Sequence, residues 1–226
     1  MEGCEVLGMG SERMGGASSS MAVPAGMRLY ANPTSPFVRV VRMALHEKGL
    51  AGAVEVVMVD AWGDAPAFLD ANPAGRVPVL LGDGGMRLAE APLILHFLDD
   101  LQPDPPVLPR GAEAAAALSR AGLAFGVFEA ATAIIIGRKS AADFDAGMVG
   151  QKRHRTMRTG FARLDAACPA PGLRGLDIAD MAAITALDYA VFRFPDEDWR
   201  ALAPRTAALR DANAERPSVK ETVPVG

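Results

Sequence analysis

Between Met27 and Leu101 the apolar residues switch repeatedly between the rhythm of a strand and that of a helix. Residues 27–32, Met-Arg-Leu-Tyr-Ala-Asn, predict a short strand. Phe37, Val40, Val41, Ala44 and Leu45 then recur at helical spacing, with Arg39, Arg42, Glu47 and Lys48 on other faces, which predicts a helix over 36–48 ended by Gly49. Val54-Glu55-Val56-Val57-Met58-Val59 is rich in β-branched residues and predicts a second strand. A short helix over 65–71 and a third strand over 77–81 follow. Gly82-Asp83-Gly84-Gly85 is a turn signal, Met86-Arg87-Leu88 returns as a fourth strand, and 92–101 is again helical.

This order, βαβ, helix, ββα, is that of a thioredoxin-like domain over residues 27–102, with the first two strands parallel and the last two a hairpin. Gln102-Pro103-Asp104-Pro105-Pro106-Val107-Leu108-Pro109 carries four prolines in eight residues, cannot continue a helix, and marks a stiff linker over 103–110. From 111 to 226 the pattern is helical without a strand run, with helices expected over 112–137, 143–167, 177–192 and 196–213. Asp177 is a candidate N-cap, with Asp180 at the reciprocal position of a capping box. The fold expected is therefore α/β followed by an all-helical C-terminal domain.

Composition narrows the function. Half of the 226 residues are hydrophobic, 22% are charged, and the net charge of -4 comes without a long basic stripe, which argues against nucleic acid as a partner. The two cysteines, Cys4 and Cys168, lie far apart, and no Cys/His spacing supports a metal or a dithiol centre. His46, His96 and His154 are scattered and read as structural. No apolar run approaches the ~20 residues of a membrane span. Residues 1–26, rich in Gly, Ser and Met, lack the pattern of a secretory signal and are expected to be disordered, which leaves a reducing cytoplasm as the expected location.

Three motifs carry chemistry. Thr34-Ser35-Pro36-Phe37 turns the first strand into a helix; Asn72-Pro73-Ala74-Gly75-Arg76-Val77-Pro78 leads into the third strand; Glu90-Ala91 opens the helix after the fourth. From the residues alone, Ser35-Pro36 is a good N-cap and first-turn pair, Pro78 a tolerated strand start, and Glu90 a solvated loop acid. Together the motifs resemble the glutathione-binding half of the glutathione S-transferase family, and Thr34-Ser35-Pro36-Phe37-Val38-Arg39 followed by Glu47-Lys48-Gly49 looks most like bacterial members with a serine near the start of the first helix.

The resemblance implies a cytoplasmic homodimer that takes glutathione as co-substrate, needs no metal, and attacks a small apolar electrophile in a detoxification-type transfer. It implies Ser35 as the catalytic hydroxyl and a cis bond before Pro78 that frees the Val77 backbone to pair with the tripeptide. It further implies Glu90 and the Ala91 N–H for the γ-glutamyl end, and Arg76, with Arg39 as a weaker candidate, for the glycyl carboxylate. The second-substrate pocket is expected around Phe37, Phe128 and Thr132, with Phe125 and Ile135 beside them. Ala91 departs from the family's usual serine and removes a hydroxyl donor; one hydrogen bond to a charged group is worth roughly 1.5–3 kcal/mol.

The chemistry suits a hydroxyl. A free thiol with pKa near 8.5 is only a few per cent thiolate at neutral pH. A hydroxyl donating to sulfur at the positive end of a helix favours the anion. A depression of about two units raises the thiolate fraction ~25-fold, but the lower basicity costs about 6- to 10-fold in nucleophilicity. Placement of the electrophile must therefore supply most of the acceleration. A different reading, a non-catalytic binding or scaffold protein of the same fold, is favoured by Ala91.

Overall fold

The computed structural model describes residue 24, residues 26–169 and residues 175–225. The expected N-terminal extension falls almost wholly outside the described residues. Four strands form one sheet: β1 (Arg28–Ala31), β2 (Glu55–Met58), β3 (Val79–Gly82) and β4 (Met86–Ala89). The helices are α1 (Pro36–Glu47), α2 (Pro66–Ala71), α3 (Ala91–Leu101), α4 (Ala114–Ser140), α5 (Met148–Ala166), α6 (Ile178–Arg193), α7 (Trp199–Leu202), α8 (Pro204–Ala212) and α9 (Pro217–Lys220). A thioredoxin-like sheet domain is thus followed by an all-helical region.

The strand order is β2-β1-β3-β4, parallel between β1 and β2 and antiparallel elsewhere. Leu29, Leu80, Val40, Val41, Ile94, Leu95 and Leu98 are fully buried, because α1 and α3 lay their apolar faces on the sheet. β3 starts two residues later than the pattern predicts: Pro78 has no N–H to give to the ladder, and Val77 precedes it.

Three helical expectations change. Phe144–Ala146 form a single 3₁₀ turn, so α5 begins only at Met148. The expected helix over 196–213 is two helices, broken where Pro204 opens α8. A last helix, α9, was not visible in the pattern. Asp177 caps α6 by accepting from the N–H groups of Ala179 and Asp180. The buried Asp180 carboxylate takes Arg120 of α4 at 2.8 Å.

Segment 111–140 is also long and apolar enough, with mean hydropathy 1.5 over its best window, to cross a membrane by length and composition. Its many alanines account for that. Its buried residues, among them Ala124, Val127, Ala131 and Ile134, belong to the same core as residues of α5 and α6, as in a core helix.

The proline-rich linker is pinned rather than loose. Lys48 at the end of α1, with its side chain fully buried, bonds the buried Asp99 at 2.8 Å and the Pro105 carbonyl at 2.9 Å. Asp99 also accepts from the Val107 N–H, and the Val107 carbonyl accepts from Ile178 at the start of α6. The C-terminal segment returns to α1, where Arg216 and Ser218 donate to Glu47. Burial pushes the Glu47 pKa up, but these hydrogen bonds and the Arg216 charge outweigh it and hold it below the ordinary carboxylate value.

Two outcomes follow. Lys48→Met leaves the buried Asp99 carboxylate to the Val107 N–H and to the more exposed Arg110 at 3.4 Å and is expected to destabilise by about 3 kcal/mol, read as a lower urea midpoint at unchanged slope; a shift below 1 kcal/mol sinks the clamp. The depressed Glu47 pKa gives stability that is complete above about pH 4.3 and disappears as pH falls through the lower, folded value. Glu47→Gln should therefore flatten the acid limb of a stability–pH curve and leave the slope near pH 7 alone.

Candidate active site

At one rim of the sheet β1, β2 and β4 end and β3 begins. The parallel register pairs Ala31 with Met58, so residues 32–35 and 59–62 leave side by side. The antiparallel register sets Tyr30 against Val79 and Val79 against Ala89, which brings Val77-Pro78 and Glu90 to the same edge. The strand order sets the ends that lead to the Trp62 loop, Ser35, Pro78 and Glu90 in that sequence along the rim, neighbouring strands lying about 4.8 Å apart.

Local sequence explains each delivery. The Asn32 side chain accepts from the Thr34 N–H and hydroxyl, both at 2.9 Å, and its carbonyl accepts from the Ser35 N–H, which makes the turn into α1. Ser35 is the N-cap, its Oγ accepting from the Val38 N–H at 3.3 Å. That bond uses a lone pair. The hydroxyl proton has no acceptor among the described residues and is available to a ligand. The bond between Val77 and Pro78 is cis. Its loop is braced by the largely buried Asn72, which accepts from Ala74 and donates to the Arg76 carbonyl at 2.8 Å. Gly75 supplies the positive φ of 61° this turn requires.

Glu90 sits at φ 72°, an unusual conformation for a side-chain-bearing residue. Its carboxylate pairs with Arg76 at 2.9 Å, both partners more than half exposed. Phe37, Asn72, Arg76, Val77, Pro78 and Glu90 line one common pocket. Ala91 is buried, its side chain turned into the core, and only its backbone faces the helix start.

The structure gives several of the expected site residues other surroundings. Arg39 lies one turn after Ser35 but faces the helical region: it is 4% exposed, bonds Asp188 of α6 at 2.7 Å and reaches Thr222. Burial lowers its pKa, with Asp188 opposing. It joins the two halves and is not placed to meet a ligand carboxylate. Arg76 pairs with Glu90 at the β4 end of the rim. Phe128 is fully buried and backs Phe37, whose ring meets it edge-on at 4.9 Å; Phe125 completes the cluster. Thr132 and Ile135, half-buried one and two turns farther along α4, continue that row. The Thr132 hydroxyl is buried and has no hydrogen-bond partner among the described residues.

The sequence reading missed Trp62. It is 61% exposed on the rim and stacks under the Lys139 ammonium of α4 at 4.7 Å. A tryptophan in a Gly/Asp loop between strand and helix was the available signal. Among the described residues no group of three metal-ligating side chains occurs.

Comparison with known proteins agrees with this geometry. Residues 34–101 match the model for the glutathione S-transferase N-terminal domain. The chain is 37% identical over 82 residues to glutathione S-transferase 2 of Saccharomyces cerevisiae, covering 35% of each protein. It is 35% identical over 83 residues to a stringent starvation protein A homolog of Coxiella burnetii, covering 37% of this chain and 38% of that one. The match thus spans little more than a third of those relatives. A crystal structure of a glutathione S-transferase from Methylobacterium radiotolerans, in complex with glutathione sulfonate, superposes with TM-score 0.81 at 32% identity over 88% of this chain and 95% of that one. The chain belongs to the glutathione S-transferase family.

Proposed function

We propose that this protein binds glutathione along the rim and transfers it, through its thiolate, to a small electrophile. The observation that carries the reading is the alignment of an N-cap hydroxyl with a free proton, Ser35, beside a cis Val77–Pro78 bond on one sheet edge. In this reading the Val77 N–H and C=O, outside the β3 ladder, pair with the cysteinyl unit. Glu90 takes the γ-glutamyl ammonium and the Ala91 N–H its carboxylate, and Ser35 donates to sulfur at the positive end of α1. The apolar acceptor lies against Phe37 and the α4 row. The thiolate forms a bond to the electrophilic carbon; the leaving group departs, or the resulting carbanion takes a proton from solvent.

The Arg76–Glu90 pair is no obstacle. An exposed ion pair is worth at most about 1 kcal/mol, so a ligand ammonium exchanges for it cheaply. The same pair, with Ala91, supports a second reading in which the cradle is vestigial and the protein is a binding or scaffold protein of the same fold. Similarity to a stringent starvation protein A homolog is consistent with that alternative.

Ser35→Ala is expected to lower kcat/KM for an activated aryl halide by about tenfold or more, the value of a hydrogen bond to a charged atom, while glutathione Kd changes less than threefold. Ser35→Thr, which keeps the cap and the hydroxyl, should retain most of the rate. Equal rates for all three proteins would remove Ser35 from the chemistry.

Glutathione binding by calorimetry separates the two readings. Glu90→Gln should weaken it by about tenfold, and Arg76→Gln should change it by no more than about fivefold. Absence of binding by the unaltered protein would leave the scaffold reading standing.

A further inference from the structure

α1 has a second polar face, which the Ser35 site does not use. Arg39, Arg42 and His46 recur along it at three- and four-residue spacing. The segment from Val219 to Thr222 crosses this face. Arg39 donates to the Val219 carbonyl and the Thr222 hydroxyl, and Arg42 donates to the Glu221 carbonyl at 3.0 Å. Beside them opens a cleft of about 260 Å³, lined by Arg42, Leu45, His46, Ala51, Val56 and Glu221. Val56 belongs to β2, an edge strand of the sheet. The cleft shares no lining residue with the pocket at Phe37 and Pro78.

The charges on this face do not cancel locally. Arg39 is engaged by Asp188, and Lys220 by Glu215. Arg42 forms no ion pair among the described residues, and its hydrogen bond goes to a neutral carbonyl. A guanidinium carries five N–H donors in a planar fork, so most of those on Arg42 are left for water or a ligand. Burial lowers the Arg42 pKa, and Glu221 only partly opposes the shift. The Glu221 carboxylate stands 3.9 Å from His46 Nε2, too far for a hydrogen bond, and its side chain is 62% exposed. An exposed pair of this kind adds little, so the carboxylate is loosely held and exchanges readily for another.

We propose that this cleft binds a small aliphatic monocarboxylate. The ligand carboxylate meets the Arg42 fork with the His46 ring beside it, the apolar body lies on Leu45, Ala51 and Val56, and the Glu221 side chain turns out to solvent. The planar fork matches a carboxylate in shape as well as charge. The rest of the wall is apolar. The volume lies below the about 300–1,000 Å³ of sites for drug-sized ligands, which fits an acid of a few carbons. The assignment does not rest on the glutathione reading, and its test uses no glutathione.

The probe is isovalerate, with isovaleramide as its uncharged counterpart, each titrated into the whole chain and followed in amide proton–nitrogen NMR spectra. The acid is expected to shift the backbone signals of Arg42, His46, Ala51 and Val56 saturably, with Kd on the order of 1 mM for a ligand of seven non-hydrogen atoms. The amide should bind at least tenfold more weakly. Arg42→Gln should lower affinity for the acid about tenfold, to that of the amide. Arg42→Lys, which keeps the charge and loses the fork, should lower it about threefold. Glu221→Gln, which removes the competing carboxylate, should raise it about threefold. Lys152→Gln, on an exposed face of α5, should leave it unchanged. The preference for acid over amide should shrink at high salt.

Equal shifts by acid and amide, shifts that grow without saturating, or an affinity indifferent to Arg42→Gln overturn the site. Should Arg42→Gln fail to fold, Arg42→Lys and Glu221→Gln decide: opposite changes in affinity uphold the site, and any other pair of results overturns it.

Discussion

A parallel strand pair extended by an antiparallel hairpin leaves the chain no choice about where it exits. β1 and β2 end together, and because β3 runs back against β1, its beginning lies beside their ends; β4, running back again, finishes there too. Four connections that are distant in sequence meet on one edge. Ser35, the Trp62 loop, Val77-Pro78 and Glu90 are neighbours for this reason. None of their individual hydrogen bonds would bring them together without that register.

The rim works only if it is held against the helices, and polar groups do much of that holding. Lys48, Asp99 and the linker carbonyl at Pro105 form a buried clamp at one end of α1. Near its start, Arg39 pairs with Asp188, which Arg210 of α8 also meets at 3.2 Å. Buried charges of this kind add little net stability relative to apolar packing, but removing one partner is costly. Their effect is to define one mutual placement of the sheet domain and α6. The Phe37, Phe125 and Phe128 rings then fill the interface beside the candidate pocket.

Much of the fold was legible because short-range physics governs it. The β-branched run at 54–59, the helical spacing from Phe37 to Leu45 and the Gly-rich turn at 82–85 each signal their element locally. Asp177 capped α6 as its position suggested. The failures were also physical. Gly147 and Pro204 interrupt helices that hydrophobic spacing alone ran together. At the site, Ser35, Val77, Pro78 and Glu90 were found through motif and resemblance. Arg39 was misread because helical spacing places it near Ser35 without telling which side of α1 a second set of helices will cover. Trp62 was passed over because a lone loop aromatic carries no periodic signal.

The sequence by itself determined which segments become strands and helices, since propensity, spacing and capping act within a few residues of each position. It also determined that residue 35 carries a hydroxyl and residue 91 none. Only the tertiary structure decided which of these groups share a rim, that Arg76 is spent on Glu90, that Phe128 is core while Phe37 faces the pocket, and that Lys139 reaches across to Trp62. Those outcomes depend on strand register and on the packing of α4 and α6 against the sheet domain, contacts between residues tens to well over a hundred positions apart, which no local pattern encodes.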